Sequence, residues 1–341
     1  ILPSGLWSRS PNSKLATAHI GIGGKGYTDT TNIANDPRTE VIGLCDVDLR
    51  TLKGKDARDV RRGREPLHFA SAKKFQDYRE LFSELGDTID AVSISTPDHT
   101  HYPATLAAME LGKHVYTQKP LTHNIAEARH LMEVARKNGV VTQMGIQNKA
   151  TQGYRMATHF IRSGVIGKIA KVYVWCFKDW GYDGAPYAGE DPVPDYLDWN
   201  LWLGTAPLRS YQEDKYHPGQ WRRYLDYGSG TLGDMGVHIF DTPFDALRLE
   251  PPVWAEARCR ESNDFSLPTQ SIIRLGFKPT ALTTQDFEWT WWDGALSPPI
   301  GPDLDLPNGE SLPRQGAMFV GEAGRMLLPH IAGPRFFPKS I

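Results

Sequence analysis

The first residues whose spacing could do chemistry form a glycine-rich turn, Gly21-Ile-Gly23-Gly24-Lys25-Gly26. This G-x-G-x-x-G follows a predicted strand and opens a predicted helix. Gly21 permits a tight turn, Gly23 lets the backbone approach a pyrophosphate, and Gly26 allows the helix to pack closely on the strand. The helix N-terminus offers N–H groups and the positive end of its dipole to phosphates. The turn therefore predicts a dinucleotide site, with a purely structural glycine turn as the alternative.

An acidic residue follows at the offset that such a site needs. Asp46 ends the second predicted strand, 20 residues after Gly26. A carboxylate there can accept hydrogen bonds from both ribose hydroxyls and would repel a 2′-phosphate. Neither Val47 nor Asp48 supplies a cation. The sequence therefore favours NAD over NADP.

Two further polar turns follow predicted strands. One is Ser95-Thr-Pro-Asp-His-Thr-His101 and the other is Gln118-Lys119-Pro120. The carboxyl ends of strands line the ligand crevice of a doubly wound fold. Both turns are therefore predicted to contact the cofactor through Ser95, Thr96, Pro97, His99, His101, Gln118 and Lys119. No metal is predicted, because the His-x-His pair has no third ligand nearby and suits a capping or cofactor-packing role better.

Lys119 is the candidate for charge stabilisation. A lysine at a strand end can polarise a carbonyl or stabilise an alkoxide. A surface lysine ahead of a helix is an equally good explanation of its position alone.

The fourth group is Asp234, His238 and Asp241, spaced i, i+4 and i+7. On a helix these side chains share one face and could move a proton. An N-terminal cap with a core histidine, a solvated helix face and a metal site remain alternatives. An aromatic-rich stretch precedes the group, and the predicted substrate contacts are Gln147, His217, Trp221, Arg222, Asp234 and His238.

Two patterns of elements must position these residues. Up to about residue 146, predicted strands (16–22, 40–45, 89–96, 114–117 and 140–144) alternate with predicted helices (78–85, 104–111 and 125–137). Such alternation indicates an α/β fold with a doubly wound parallel sheet. Later strands, at 169–180, 253–259, 271–277 and 281–291, follow one another with few helices and indicate an open, mostly antiparallel sheet. We therefore predict an arm over 1–14, a Rossmann domain over 15–147 and an α/β substrate and oligomerisation domain over 148–341.

Composition excludes several classes of function. The 341 residues carry a net charge of −2, which does not suit nucleic acid binding. No run of about 18 apolar residues predicts a membrane span. Three distant cysteines predict neither a disulfide framework nor a thiolate zinc site.

Together, GIGGKG, Asp46, the Ser95–His101 turn, Gln118-Lys-Pro120 and the Gly233–Asp241 segment resemble the Gfo/Idh/MocA family (glucose–fructose oxidoreductase and inositol dehydrogenase). The resemblance covers nearly the whole chain. It implies an NAD-dependent dehydrogenase of sugars, glycosides or cyclitols. It also implies that Lys119, Asp234 and His238 are catalytic, and that a homodimer or homotetramer pairs through the C-terminal sheet.

One departure from the family pattern suggests a subgroup. The usual Glu-Lys-Pro is Gln118-Lys119-Pro120 here, a variant that resembles exported bacterial members. The first residue is Ile rather than Met, so a processed N-terminus and a periplasmic or exported location are slightly favoured over the cytoplasm. We also expect a further C-terminal segment.

The resemblance leaves three classes of activity open. A dehydrogenase is the first. The second is a glycoside hydrolase that oxidises its sugar transiently, eliminates the aglycone and recycles a tightly bound NAD, which would suit a compartment poor in free NAD. The third is a non-catalytic sugar binder, which would not need all of Lys119, Asp234 and His238.

Overall fold

The computed structural model describes residues 14–55 and 57–338. They form two compact units: one runs to Gly145 and also takes in Ala188–Lys215, and the other comprises Ile146–Tyr187 and the residues from Tyr216 onward. The segment 188–215 lies in sequence within the predicted substrate domain, yet it packs with the first unit. The predicted arm, apart from Lys14, lies outside the described residues.

Main-chain hydrogen bonds explain where this segment packs. Leu49 N donates to Tyr196 O (2.7 Å), and Asp198 N donates to Val47 O (3.1 Å). These bonds tie the segment to the chain just after the second strand of the first unit.

The first unit is a doubly wound α/β fold. Its parallel six-stranded sheet has the order β3-β2-β1-β4-β5-β6. The strands are β1 (Leu15–Ile20), β2 (Thr39–Cys45), β3 (Lys73–Phe75), β4 (Ala91–Ile94), β5 (His114–Gln118) and β6 (Thr142–Gly145). The helices are α1 (Lys25–Ala34), α2 (Leu49–Leu52), α3 (Ala57–Arg61), α4 (Tyr78–Leu85), α5 (Asp98–Glu110) and α6 (Ile125–Asn138). The predicted parallel sheet is confirmed.

Local sequence accounts for the helix ends in this unit. The Asp77 side chain accepts from Arg79 N at the start of α4. Asn124 and Glu127 form a reciprocal capping box at the start of α6, and Gly139 ends that helix in the left-handed conformation (φ 65°). Each of these contacts satisfies a backbone group that the helix end would leave unpaired.

The second unit is built on a mixed seven-stranded sheet with the order β13-β12-β11-β7-β10-β9-β8. Among the described strands of this sheet, only β7 and β10 pair in parallel, so the predicted, mostly antiparallel sheet is confirmed. The strands are β7 (Ile169–Cys176), β8 (Trp254–Arg258), β9 (Ile272–Gly276), β10 (Thr283–Asp293), β11 (Gln315–Gly321), β12 (Gly324–Pro329) and β13 (Arg335–Phe337). The α-helices are α7 (Gln152–Arg162), α8 (Trp199–Leu203, in the segment that packs with the first unit), α9 (Val237–Ile239) and α10 (Asp241–Ala246).

The second sheet buries both of its faces in part. One face contacts α7 and the helical segment around Met235 and Ile239. On the other face, Trp175 is fully buried beside Leu304 and Leu306, and its indole N–H donates to Pro313 O at 2.6 Å. The alternating aromatic residues of β7 are thus covered in part by this chain's own loop. Pairing of two copies through this sheet stays a prediction.

The first testable prediction concerns Gly26. A Cβ at this position would lie 1.7 Å from Gly21 O, which is backbone and has little room to move. We expect Gly26→Ala to lower the free energy of unfolding by about 3 kcal/mol, measured by urea denaturation, because α1 must move away from β1. Gly301→Ala is the matched control, since nothing lies within 4 Å of its added Cβ. Equal unfolding midpoints for the two variants would contradict the close approach.

Candidate functional site

The glycine-rich turn joins β1 to α1 through a close backbone approach. Gly21 adopts φ 76°, and a Cβ there would lie 2.9 Å from the Ser95 main chain. Gly26 N donates to Gly23 O at 3.0 Å, and Gly24, at φ 58°, precedes the first residue of the helix. Only glycine adopts these conformations without strain. The turn thus brings backbone without Cβ atoms to the helix N-terminus, where a pyrophosphate would bind, and Gly24 N–H donates there to the Asp59 carboxylate at 3.1 Å.

Asp46 is fixed at the carboxyl end of β2. Its carboxylate accepts from Ile22 N at 3.0 Å through one oxygen and from Asp48 N at 3.0 Å through the other. These bonds join the end of β2 to the glycine-rich turn after β1. The half-buried carboxylate is therefore held at the strand end where a dinucleotide-binding fold places its ribose-binding acid.

Cations near the turn are paired with acids. Arg50 donates to Asp48 at 2.7 Å, and its guanidinium lies 3.6 Å from the centre of the Tyr196 ring. Arg64 donates to Asp59 at 2.6 Å and to Gly24 O at 2.6 Å. These two arginines thus stabilise the loops around the turn.

The Ser95–His101 turn contributes anchoring groups. Ser95 Oγ donates to the Asp29 carboxylate at 2.9 Å. The ring of His101 lies between Thr96 O (2.9 Å) and Pro120 O (2.7 Å), which joins the turn after β4 to the one after β5. His99 is buried and bonds Trp202 O at 3.0 Å. Thr96 and Pro97 lie half-buried at the start of α5.

Lys119 follows β5 directly and is half-buried. Its backbone N–H donates to the side-chain oxygen of Gln118 at 3.3 Å. The amide nitrogen of Gln118 in turn donates to Asp29 at 2.8 Å. Within the first unit, Lys119 and the glycine-rich turn therefore both lie at the carboxyl edge of the sheet.

In the second unit, Asp234 is paired with Arg222. Arg222 Nε donates to the buried Asp234 carboxylate at 3.0 Å. The guanidinium lies 4.1 Å from the centre of the Trp221 ring and 5.3 Å from that of Trp180. Three predicted substrate residues are thus adjacent, and Lys178 lies beside them, with its ammonium 3.2 Å from Met235 Sδ.

The segment that bears Asp234 is not a simple α-helix. Leu232–Gly236 form a π-helical turn, which precedes α9 and α10. The predicted i, i+4, i+7 face is therefore interrupted. Asp241 instead forms an ion pair with Lys149, whose Nζ lies 3.2 Å from Oδ2. Burial raises the pKa of the Asp241 carboxyl, although the Lys149 ammonium opposes the shift.

His238 is buried, and a second histidine lies beside it. The rings of His238 and His330 are 5.3 Å apart. His330 bonds Tyr154 Oη (3.0 Å) through Nδ1 and Asn148 Nδ2 (3.2 Å) through Nε2. Burial, assisted by the charge of Asp241, raises the pKa of the Tyr154 phenol, so this hydroxyl stays protonated.

The remaining candidates lie at loop and helix ends. Gln147 is exposed and begins a short 3-10 helix, and half-buried His217 precedes a cis proline. Within residues 14–55 and 57–338, no group of three His, Cys, Asp or Glu side chains could hold a metal ion. In that same part of the chain, every helix is too short or too polar to cross a membrane.

Sequence reasoning missed Asp29, Tyr154, Lys178 and His330. Asp29 is separated from Gln118 by 89 positions, and Tyr154 from His330 by 176. No local pattern marks such pairs, because they are brought together by sheet and helix packing alone.

Comparison with known proteins agrees with this architecture. A model of the Gfo/Idh/MocA oxidoreductases, describing an NAD-binding Rossmann fold, matches residues 15–146. A second model, for the C-terminal alpha/beta domain of the same oxidoreductases, matches residues 155–248. The WlbA dehydrogenase from Bordetella pertussis, solved with NADH and UDP-GlcNAcA, has the same fold (TM-score 0.64, 16% identity, covering 95% of this chain and 84% of that one).

Two characterised relatives are dehydrogenases. Levoglucosan dehydrogenase of Pseudarthrobacter phenanthrenivorans is 25% identical over 174 residues, covering 51% of this chain and 36% of that protein. The scyllo-inositol 2-dehydrogenase (NAD(+)) of Bacillus subtilis is 32% identical over 156 residues, covering 46% of this chain and 42% of that protein. The matched region spans less than half the length of either relative.

Two features suit a bound dinucleotide. A Cβ at Gly21 or Gly26 would clash with backbone in the glycine-rich turn, and Asp46 lies at the end of β2. The chain belongs to the Gfo/Idh/MocA family of oxidoreductases, and its first unit is an NAD-binding Rossmann fold.

Proposed function

We propose that this protein oxidises a secondary hydroxyl of a sugar, glycoside or cyclitol with NAD. The observation that carries the proposal is the position of Lys119 on the sheet edge that bears the NAD-binding turn. NAD, when bound, supplies the acceptor for the hydride that leaves the carbinol carbon.

The chain's own residues handle the proton and the charge. His238 takes the hydroxyl proton as general base. The ammonium of Lys119 donates a hydrogen bond to the oxygen as negative charge develops on it. Asp234, held by Arg222, binds an adjacent hydroxyl of the ring or orients His238. These roles follow the family assignment of the three residues.

The preference for NAD is also a proposal. Asp46 is fixed by two backbone N–H groups and presents negative charge where a 2′-phosphate would lie. Arg50 and Arg64, the arginines that flank the turn, are each paired with an aspartate.

The activity is tested by incubating the protein with NAD and a panel of inositols, levoglucosan, free sugars and aryl glycosides. We expect NADH absorbance to rise and a product two hydrogens lighter by mass. Release of sugar and aglycone without net NADH would instead support the hydrolase. Saturable sugar binding without any product would support the non-catalytic binder.

Lys119→Met tests the role of the ammonium. We expect kcat to fall at least about 100-fold, since a charged donor to the developing alkoxide is lost, while the Kd for NAD changes little. Lys137→Met, an exposed change on α6, is the control and keeps wild-type kcat. Wild-type turnover in Lys119→Met would contradict the assignment.

Asp46→Ala tests the cofactor preference. We expect the ratio of kcat/KM for NAD to that for NADP to fall at least about tenfold, because the ribose loses its acceptor and the repulsion of a 2′-phosphate disappears. Asp36→Ala, at an exposed turn between α1 and β2, serves as control. An unchanged ratio would show that Asp46 does not select the cofactor.

A further inference from the structure

A buried acid lies beneath the NAD-binding turn. Asp29, on α1, is 4% exposed. One of its oxygens accepts from Lys25 Nζ, and the other accepts from Ser95 Oγ (2.9 Å) and Gln118 Nε2 (2.8 Å). Three elements of the first unit thus donate to one carboxylate.

Gln118 transmits this contact to the next residue. Its side chain is also 4% exposed, so its amide can hardly turn to water. Because Nε2 donates to Asp29, Oε1 is directed to the other side and accepts the backbone N–H of Lys119 at 3.3 Å. Because the Asp29 carboxylate can only accept hydrogen bonds, it fixes the orientation of the Gln118 side-chain amide. That amide in turn accepts from the backbone N–H of Lys119 and holds it in place.

The same geometry explains why residue 118 is an amide. A glutamate here would put a second carboxylate within 2.8 Å of Asp29, and two such groups cannot both be charged without a large penalty. Gly145 on β6 completes the fit, because a Cβ there would lie 2.6 Å from Gln118 Nε2. Residues 29, 118 and 145 are therefore matched to one another.

We propose that Asp29 is a positioning residue for Lys119, acting through the Gln118 amide. The proposal deepens the proposed function, on which the catalytic role of Lys119 rests. Helix α1 would then have two roles. It begins at the glycine-rich turn, and through Asp29 it fixes the segment after β5.

Reversing the direction of one hydrogen bond tests the proposal. In Asp29→Leu the Gln118 Nε2 group loses its acceptor on α1, so the amide is no longer held and Lys119 N–H loses its fixed acceptor. In Gln118→Glu two carboxylates face each other. In the double variant Asp29→Asn/Gln118→Glu, the amide introduced on α1 donates to the carboxylate introduced on β5, which can still accept from Lys119 N–H. Gln143→Glu, an exposed change on β6, is the matched control.

The first readout needs neither substrate nor cofactor. The folded full chain is reacted with acetic anhydride, and the acetylation rate of Lys119 is measured by mass spectrometry of its peptides after digestion, with exposed Lys137 as internal reference. We expect each single variant to change the Lys119 rate at least about threefold, as a lost charge-assisted contact allows, and the double variant to restore it. We also expect the melting temperature to fall in each single variant and to recover in the double variant.

The second readout is turnover on the substrate found with the panel. We expect kcat to fall at least about tenfold in Asp29→Leu, with the Kd for NAD within about twofold of wild type, and to recover in the double variant. Loss of melting temperature alone, with wild-type labelling of Lys119, would make Asp29 merely structural and overturn the proposal. A double variant that fails to restore labelling would overturn it as well. If wild type shows no NADH formation, the proposed function fails, and the labelling result still decides whether Asp29 positions Lys119.

Discussion

The first unit depends on one constraint, the close approach of the first turn of α1 to the strands β1 and β4. Gly21 and Gly26 make this approach possible, since a Cβ on either residue would meet backbone atoms. Because the helix is so near, Asp29 accepts from Ser95, just after β4, and from Gln118, the last residue of β5. The same approach brings the glycine-rich turn, which carries no Cβ at Gly21, Gly23, Gly24 or Gly26, to the start of α1. The geometry of the glycine-rich turn and the placement of the Lys119 main chain therefore share one structural cause.

The second unit holds polar side chains in a buried environment. The carboxylate of Asp234 and the imidazole of His238 are both buried in it. Asp234 is stabilised by Arg222, whose cation also covers the Trp221 ring. His238 lies next to His330, whose two nitrogens are bonded by Tyr154 and Asn148. Charged and aromatic groups thus stabilise one another where apolar packing alone would penalise them.

Much of this could be predicted from sequence, because local patterns encode it. The helix predicted over 78–85 matches α4, where Asp77 supplies the cap. The sequence pattern also predicts that the polar turns after β1, β2, β4 and β5 lie at strand ends. The helix predicted over 104–111 begins too late, because α5 begins at Asp98. Pro103 lies inside that helix, and a proline in a sequence is typical of a helix start rather than of a helix interior. The three-residue β3 has no alternation long enough to detect, and β11–β13 were not predicted.

The tertiary contacts around the candidate residues could not be predicted. The π-helical turn at Leu232–Gly236 breaks a pattern that reads as a regular helix. Gln118, which stands where the family pattern has glutamate, donates to Asp29. The two residues are 89 positions apart, so no local pattern predicts this contact. The packing of residues 188–215 with the first unit depends on bonds to the end of β2.

The central claim is direct oxidation of a carbinol carbon by NAD. It is tested most directly with a substrate that carries deuterium on that carbon, followed by mass analysis of the cofactor. We expect reduced cofactor that carries one deuterium and a ketone product that carries none. Unlabelled NAD recovered together with a free sugar that has exchanged a neighbouring carbon-bound hydrogen with water would contradict the account.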